Sequence, residues 1–101
     1  MAKKKISIIW SSDASSHLLE ILEYLHAESE TAANIVAGTL FQTIEKLPAQ
    51  PLSHPKDRFR KNNKGECRAC IVYSYRISYL VSENEIIILR IRHTSREPLE
   101  F

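Results

Sequence analysis

The stretch CRACIVYSYRISYLVSENEIIILRIRHTSREP, residues 67–98, decides the fold of this 101-residue chain. Its runs of Ile, Val and Tyr are typical of β-strands. They predict three strands, at about residues 66–72, 74–82 and 85–92. The polar segment Ser82-Glu83-Asn84-Glu85 predicts a tight turn, which would make the last two strands an antiparallel hairpin.

The beginning of the chain predicts a short strand and then a helix. Apolar residues alternate at about residues 5–10, as in a strand. Apolar residues then recur at helical spacing over about residues 14–29. The candidate N-caps of this helix are Ser11, Ser12 and Asp13, because their side-chain oxygens can accept from unpaired helix N–H groups.

A second helix should follow almost at once, with Thr31 as its candidate cap. Its apolar stripe consists of Ile35, Val36, Leu40, Ile44 and Leu47. Pro48 and Pro51 should end it, since the residue before a proline disfavours the helical conformation. A connection this short makes the two helices an antiparallel hairpin.

The predicted order β-α-α-β-β-β indicates one α+β domain over residues 1–101, with both helices on one face of a small sheet. Hydrophobic residues make up 44% of the chain and charged residues 26%, which is ordinary for a soluble protein. No apolar run approaches the roughly 18 residues of a membrane span. The basic start, Met-Ala-Lys-Lys-Lys-Ile, has no apolar signal-peptide region after it, so we expect a cytoplasmic protein without membrane contacts.

The spacing of Cys67 and Cys70 matches half of a zinc motif, but no second pair of ligands follows. A redox pair should lie at a helix N-terminus, whereas these cysteines lie in a predicted strand, where residues i and i+3 point to opposite faces. We therefore interpret them as packing residues of a reduced protein. His17, His26 and His54 show no ligand spacing either, so no metal or cofactor is expected.

Positive charge is concentrated in the connector before the predicted strands and in the strands themselves. The net charge is only +2, but half of the acidic residues lie between positions 13 and 45, and only Asp57 and Glu66 lie between positions 56 and 76. A basic region opposite an acidic one suggests a polyanion or an acidic protein as partner. The candidate binding residues are Lys56, Arg58, Arg60, Lys61, Lys64 and Arg68.

Several segments together resemble the RelE/ParE superfamily, the toxins of bacterial type II toxin–antitoxin (plasmid stabilization) systems. They are IIWSSDA (8–14), LLEILEYL (18–25), Arg68, YRISYLV (75–81) and ILRIRHTSREP (88–98). The resemblance implies a helical hairpin on a twisted antiparallel sheet, and a growth-inhibiting toxin silenced by a cognate antitoxin. An acidic antitoxin would suit the basic region.

The family includes two mechanisms. RelE-like members cut mRNA on the ribosome, which requires an acid or base and cations that stabilise the phosphorane. The resemblance makes His93, Arg76 and Arg96 the catalytic candidates for that reaction. ParE-like members bind DNA gyrase and trap its cleaved-DNA complex, which requires a binding surface.

The sequence favours the ParE-like branch. The spacing from Arg68 to Tyr75-Arg76-Ile77 resembles that branch more closely, and no tyrosine follows His93. A small nucleic-acid-binding module without toxicity is the alternative of another class, and it would lack a neighbouring gene for a small acidic protein.

Some of these residues also have ordinary structural interpretations. His93 could fasten the C-terminal tail, Arg76 could pair with a helix carboxylate, and Arg96 could anchor the tail. Arg90 and Arg92 share a predicted strand face with Ile88 and could be solvated. Phe59 is expected to pack on the core, and we expect Tyr73, Tyr75 and Tyr79 to lie on one core-facing side of a strand.

Overall fold

A computed structural model gives the structure of residues 6–96 and 100–101. Lys5 of the predicted first strand, and Glu97 and Pro98 of the closing motif, lie outside the described residues. The elements are β1 (Ser7–Trp10), α1 (Ser12–Glu28), α2 (Glu30–Lys46), a 3-10 turn (Leu47–Ala49), β2 (Cys67–Val72), β3 (Tyr75–Val81), β4 (Glu85–His93) and a second 3-10 turn (Thr94–Arg96). The predicted order β-α-α-β-β-β is confirmed.

The four strands form one sheet in the order β1-β4-β3-β2. β2 pairs with β3 and β3 with β4 in antiparallel fashion, as predicted. β1 pairs with β4 in parallel, which makes the sheet mixed. The helical hairpin packs on one face of this sheet, so the predicted α+β architecture is confirmed.

Two serines begin the helices. The Ser11 hydroxyl accepts from the Ala14 N–H at 3.0 Å and begins α1, as predicted. The Ser29 hydroxyl accepts from the Ala32 N–H at 3.2 Å and begins α2, so the prediction of Thr31 as that cap is wrong. Ser29 is the single residue between the helices, and its own N–H bonds to the Leu25 carbonyl, so one residue caps both.

The core lies between the helices and the sheet. We call this side of the sheet the helix face. Its fully buried members include Leu40 and Ile44 from α2 and Ile77, Tyr79 and Ile88 from the strands. Aliphatic side chains at alternate strand positions and at helical spacing therefore meet in one layer.

A β-bulge lies where β3 and β4 pair. Ser78 pairs with Arg90, but the next residue, Tyr79, pairs with Ile88, so Leu89 has no partner in the ladder. The extra residue reverses the alternation along β4, and Ile86, Ile88 and Ile91 all join the helix-side core. The prediction that Ile88 shares a face with Arg90 and Arg92 is therefore wrong.

The turn between β2 and β3 consists of Tyr73 and Ser74. Tyr73 has a φ of 55°, is 57% exposed, and places its hydroxyl 3.4 Å from that of Thr39. Tyr75 and Tyr79 do lie in the core. The prediction that Tyr73 shares their face is wrong because β2 ends at Val72 and Tyr73 makes the turn.

Over the described residues, no helix combines the length and apolar character required to cross a membrane.

Candidate functional site

Two surfaces carry the residues that the sequence marked as candidates. The first is the loop face, the side of the sheet away from the helices, which is covered by the basic loop (residues 54–65) and Phe101. The second is a cleft between α1 and the ends of β3 and β4.

The basic loop is held along the outer edge of β2. Lys56 bridges to Arg68 in antiparallel fashion. The Ala69 N–H donates to the Pro55 carbonyl, and the Asp57 N–H donates to the Cys67 carbonyl, both at 3.0 Å. The loop thus satisfies polar groups on the edge strand, which would otherwise remain open to pairing with another chain.

Asp57 fixes the loop onto the sheet. It is only 1% exposed, and its Oδ1 accepts from the Phe59 N–H at 3.0 Å. Its Oδ2 accepts a hydrogen bond from the Ser78 hydroxyl on β3. Asn63 also holds the loop against β2. Its amide Nδ2 donates to the Cys67 carbonyl at 2.8 Å, and its Oδ1 accepts from the Cys67 N–H at 3.1 Å.

Aromatic rings lie between arginines on the loop face. The Phe59 ring is buried, as predicted, with the guanidinium carbons of Arg58 and Arg76 at 4.8 and 5.0 Å from its centre. The Phe101 ring lies in the same way between Arg60 at 4.9 Å and Arg90 at 3.7 Å. Through these cation–π contacts the two aromatic rings attract the four guanidinium groups that lie over them on the loop face.

The six predicted binding residues differ in exposure. Lys56, Arg58, Lys61 and Lys64 are exposed, whereas Arg60 and Arg68 are half-buried. The Arg68 guanidinium donates to the carbonyls of Gly65 at 2.8 Å and His54 at 3.2 Å. Arg68 therefore shapes the loop, and the side chains of Lys56, Arg58, Lys61 and Lys64 are the ones open to solvent.

The cleft has a volume of about 380 Å³. Its walls come from α1, the start of β3, the end of β4 and the 3-10 turn after it. The lining residues are His17, Glu20, Ile21, Tyr24, Tyr75, Ile91, Arg92, His93, Ser95 and Arg96.

The cleft begins where β1 ends beside the longer β4. Past Trp10 no strand of the described residues lies beside the β4 edge, and side chains form hydrogen bonds to its backbone instead. The Ser11 hydroxyl donates to the Leu89 carbonyl at 2.9 Å, and His17 Nδ1 accepts from the Ile91 N–H at 3.2 Å. This role of His17 could not be predicted from the sequence, because the hydrogen bond depends on where β1 ends.

His93 is the last residue of β4 and lies on the wall of the cleft that the sheet forms. Its ring meets that of Tyr75 edge-on, with the ring centres 5.3 Å apart. Its Nδ1 accepts from the Ser95 N–H at 3.1 Å and lies 2.7 Å from the Ser95 hydroxyl. Burial raises the pKa of Tyr75, nearby Tyr24 raises it further, and the positive charge of Arg96 lowers it.

The structure brings two of the three catalytic candidates together. His93 and Arg96 both line the cleft. Arg76 lies over the Phe59 ring on the loop face, across the sheet from them. The three side chains therefore do not surround one common point.

Cys67 and Cys70 are buried free thiols on opposite faces of β2. Burial raises the pKa of each thiol to about 11, and the charge of Asp57 adds to the effect at Cys67. Both are therefore protonated and unreactive at neutral pH. Within residues 6–96 and 100–101, no three His, Cys, Asp or Glu side chains are grouped so that they could hold a metal ion.

Comparison with known proteins agrees with the resemblance. The model of the family described as ParE toxin of type II toxin–antitoxin system, parDE, matches residues 8–98. A solved chain from the chromosomal ParDE toxin–antitoxin system of P. aeruginosa is similar with a TM-score of 0.69, at 18% identity, over 90% of this chain and 98% of that chain. A conserved hypothetical protein of Helicobacter pylori is similar with a TM-score of 0.54, at 21% identity, over 89% of this chain and 96% of that one.

At such low identity the similarity to the two solved structures shows the fold alone. No curated protein matches the chain by sequence. The family match, however, extends from β1 past the end of β4 and includes the basic loop and all lining residues of the cleft. The chain therefore belongs to the ParE family, the toxins of type II toxin–antitoxin systems.

Proposed function

We propose that this toxin stops growth by binding DNA gyrase and trapping its cleaved-DNA complex, with no catalytic step of its own. The observation that carries the proposal is the separation of Arg76 from His93 and Arg96 by the sheet. An endoribonuclease needs its acid or base and its phosphate-binding cations around one phosphate. A toxin that acts by binding needs no such convergence.

Membership of this family implies an antitoxin partner. We propose that the antitoxin is acidic and that the exposed cations of the basic loop, Lys56, Arg58, Lys61 and Lys64, contribute to its binding. The half-buried Arg60 and Arg68 would hold the loop in place through their contacts with Phe101 and with the loop carbonyls. Charge attraction between exposed groups weakens as salt screens it, so the association rate should fall with ionic strength.

A gyrase target and an antitoxin made in the same cell imply that the toxin acts in the cytoplasm, and this is the compartment that we propose.

Ribosome-dependent mRNA cleavage is the second candidate, and one observation favours it. Arg58 and Arg76 stack on Phe59, and Arg60 and Arg90 on Phe101, so the loop face combines cations with aromatic rings. Surfaces of this composition bind single-stranded nucleic acid. This alternative predicts that the loop face contacts the RNA.

The test is to add the purified toxin to gyrase with plasmid DNA and ATP, and separately to translating ribosomes. We expect linear, protein-linked DNA to accumulate in the first reaction and intact mRNA in the second. Cuts at fixed codon positions on the ribosome, with no effect on gyrase, would contradict the proposal.

Two variants sharpen that test. Arg76→Ala and His93→Ala should each retain most of the gyrase effect if neither residue takes part in chemistry. Under the nuclease alternative each should lower cleavage by about 10²-fold or more, the usual effect of removing an acid, base or oxyanion donor.

A further inference from the structure

Helix α1 carries negative charge on its solvent side. It has four carboxylates, on Asp13, Glu20, Glu23 and Glu28, and no lysine or arginine. All four residues are exposed, and none of them forms an ion pair with another residue in the described part of the chain. Their charge is therefore open to a partner.

Two apolar side chains flank the carboxylates in the middle of the helix. Leu19 is 61% exposed and Tyr24 is 64% exposed, and no other large apolar side chain of the described residues is as exposed. Residues four apart in a helix are neighbours on its surface, so Glu23 lies beside Leu19 and Glu20 beside Tyr24. We call these four residues the acidic patch. Exposed apolar groups rimmed by polar ones are typical of a surface that binds another protein.

The charge of the acidic patch limits the choice of partner. Its carboxylates would repel a nucleic acid or a membrane with anionic lipids. The partner that fits is a protein surface with cations next to an apolar side chain.

The basic loop of this same chain has that composition. Its exposed cations are Lys56, Arg58, Lys61 and Lys64. Its one acidic residue, Asp57, is buried, so nothing on the surface of the loop offsets these charges. Leu52, two positions before the loop, is 57% exposed. The loop and the acidic patch therefore complement each other in charge and in apolar character.

Within one copy of the chain the two surfaces cannot meet. α1 is tied to β4 by the hydrogen bonds of Ser11 and His17, whereas the loop lies along the outer edge of β2. The strand order β1-β4-β3-β2 places β3 between these two strands. The helices and the loop also cover opposite faces of the sheet. A contact between the acidic patch and the loop therefore requires two copies.

We propose that the acidic patch of one copy binds the basic loop of a second copy, so that the free toxin associates head to tail. Each pair of exposed charges contributes little, so the association is weak and falls with salt. Two copies use one patch and one loop, which leaves a patch and a loop free to add further copies.

The inference needs neither the gyrase target nor the antitoxin. It has a consequence for the antitoxin proposed above, since a loop that holds a second copy is closed to another acidic partner. Self-association and antitoxin binding at the loop would then exclude each other.

The test is sedimentation velocity of the purified toxin over a range of concentrations, at about 0.05 M and about 0.5 M salt. At low salt the mean mass should rise with concentration beyond that of a dimer, and at high salt the association should weaken. Glu23→Lys and Lys61→Glu should each weaken it by about tenfold, because each turns an attraction between exposed charges into a repulsion. An equimolar mixture of the two variants should recover most of the association, since the first retains the loop and the second retains the patch.

Glu45→Lys is the matched control, because it changes the net charge as much as Glu23→Lys but lies at the exposed end of α2. Its association should stay within about twofold of the wild type. All three positions are exposed, so the circular dichroism spectra of the variants should match that of the wild type.

Four outcomes would overturn the proposal. They are a wild type that stays monomeric at low salt, a mass that levels off at that of a dimer, an equal loss in Glu23→Lys and Glu45→Lys, and a mixture that associates no better than its components. Neither gyrase nor an antitoxin is present in this experiment, so a failure of those proposals would leave its outcome unchanged.

Discussion

The two faces of the sheet are built from the same strands but are held by different interactions. On the helix face, Ile77 and Ile88 are fully buried in one core with Leu40 of α2, and the members of this core are aliphatic and aromatic side chains with one cysteine. On the loop face, a buried carboxylate, two stacked aromatic rings and four arginines hold an irregular segment of chain. The helix face therefore accounts for most of the stability, while the loop face fixes the positions of charged groups.

The difference follows from what each covering element offers. A helix satisfies its own backbone and can present a purely apolar stripe to the sheet. A loop must satisfy backbone groups one by one, and here Asp57, Asn63 and the edge of β2 do so. Polar interactions of this kind are directional, so they place a loop accurately even where they add little net stability.

The largest expected effect is the loss of packing on the helix face. Ile77→Ala should lower the free energy of unfolding by about 2–5 kcal/mol, because it leaves a cavity at a fully buried position. Chemical denaturation followed by circular dichroism measures the change. Ile71→Ala on β2 is the matched control: this side chain is 56% exposed, so the change should stay within about 0.5 kcal/mol. Equal losses in the two variants would contradict the stated role of the helix face.

The next effect concerns the anchor of the loop face. Asp57→Ala should cost about 1–3 kcal/mol, because it leaves the Phe59 N–H and the Ser78 hydroxyl buried without their acceptor. Limited proteolysis should then cut the basic loop much faster than in the wild type. Asp57→Asn keeps one oxygen for the Phe59 N–H and should lose less on both measures. If Asp57→Ala left the cleavage rate unchanged, Asp57 would not be the anchor.

A smaller effect should separate burial from cation–π attraction. Phe59→Leu keeps an apolar side chain below Arg58 and Arg76 but removes the ring, so it should cost about 0.5–2 kcal/mol. Denaturation of Phe59→Leu and of the double variant Phe59→Leu with Arg76→Met completes a double-mutant cycle with Arg76→Met. A coupling energy indistinguishable from zero would show that the ring acts only through its buried area.

The smallest effect at neutral pH concerns the cysteines, one on each face. In the native state burial raises the pKa of each thiol to about 11 from its usual value of 9.0, so between these values the unfolded state loses its thiol protons while the native state keeps them. The free energy of unfolding should therefore fall as the pH rises through this window and should not depend on the thiols below it. Iodoacetamide at about pH 8 should modify the urea-unfolded chain rapidly and the native chain very slowly, as measured by mass spectrometry. Rapid modification of the native chain would contradict the burial of both thiols.

The sequence predicted the elements of this fold well because each has a local cause. Alternating Ile, Val and Tyr residues mark the strands, and helical spacing marks the hairpin, with the Ser11 cap before its first helix. The errors at Thr31, Tyr73 and Ile88 were local as well: each came from a boundary or a register shifted by one or two residues. Periodicity cannot detect such a shift, since the same residues fit either register.

The candidate surfaces were predicted less completely. Charge alone indicated the basic loop, but the anchoring role of its one aspartate, Asp57, depends on Ser78, 21 positions further along the chain. The hydrogen bond between His17 and Ile91 joins residues 74 positions apart, and Phe101 contacts Arg90 on a strand that ends before it. Pairings of this kind arise only when the chain has folded, so composition and spacing cannot reveal them.

The unpaired Leu89 allows the two halves of β4 to keep their apolar residues on the same side of the sheet. If the bulge closed with Leu89 still in the strand, strict alternation would turn Arg90 and Arg92 towards the helices, in the layer that Ile91 now fills. Two guanidinium groups would then lie among core side chains, and the chain would lose its fold. Deleting Leu89 would instead leave Ile88 opposite Tyr79 and Arg90 opposite Ser78 as neighbouring pairs, so every other side chain would keep its face. Natural relatives should therefore be able to lack this one residue and keep the fold.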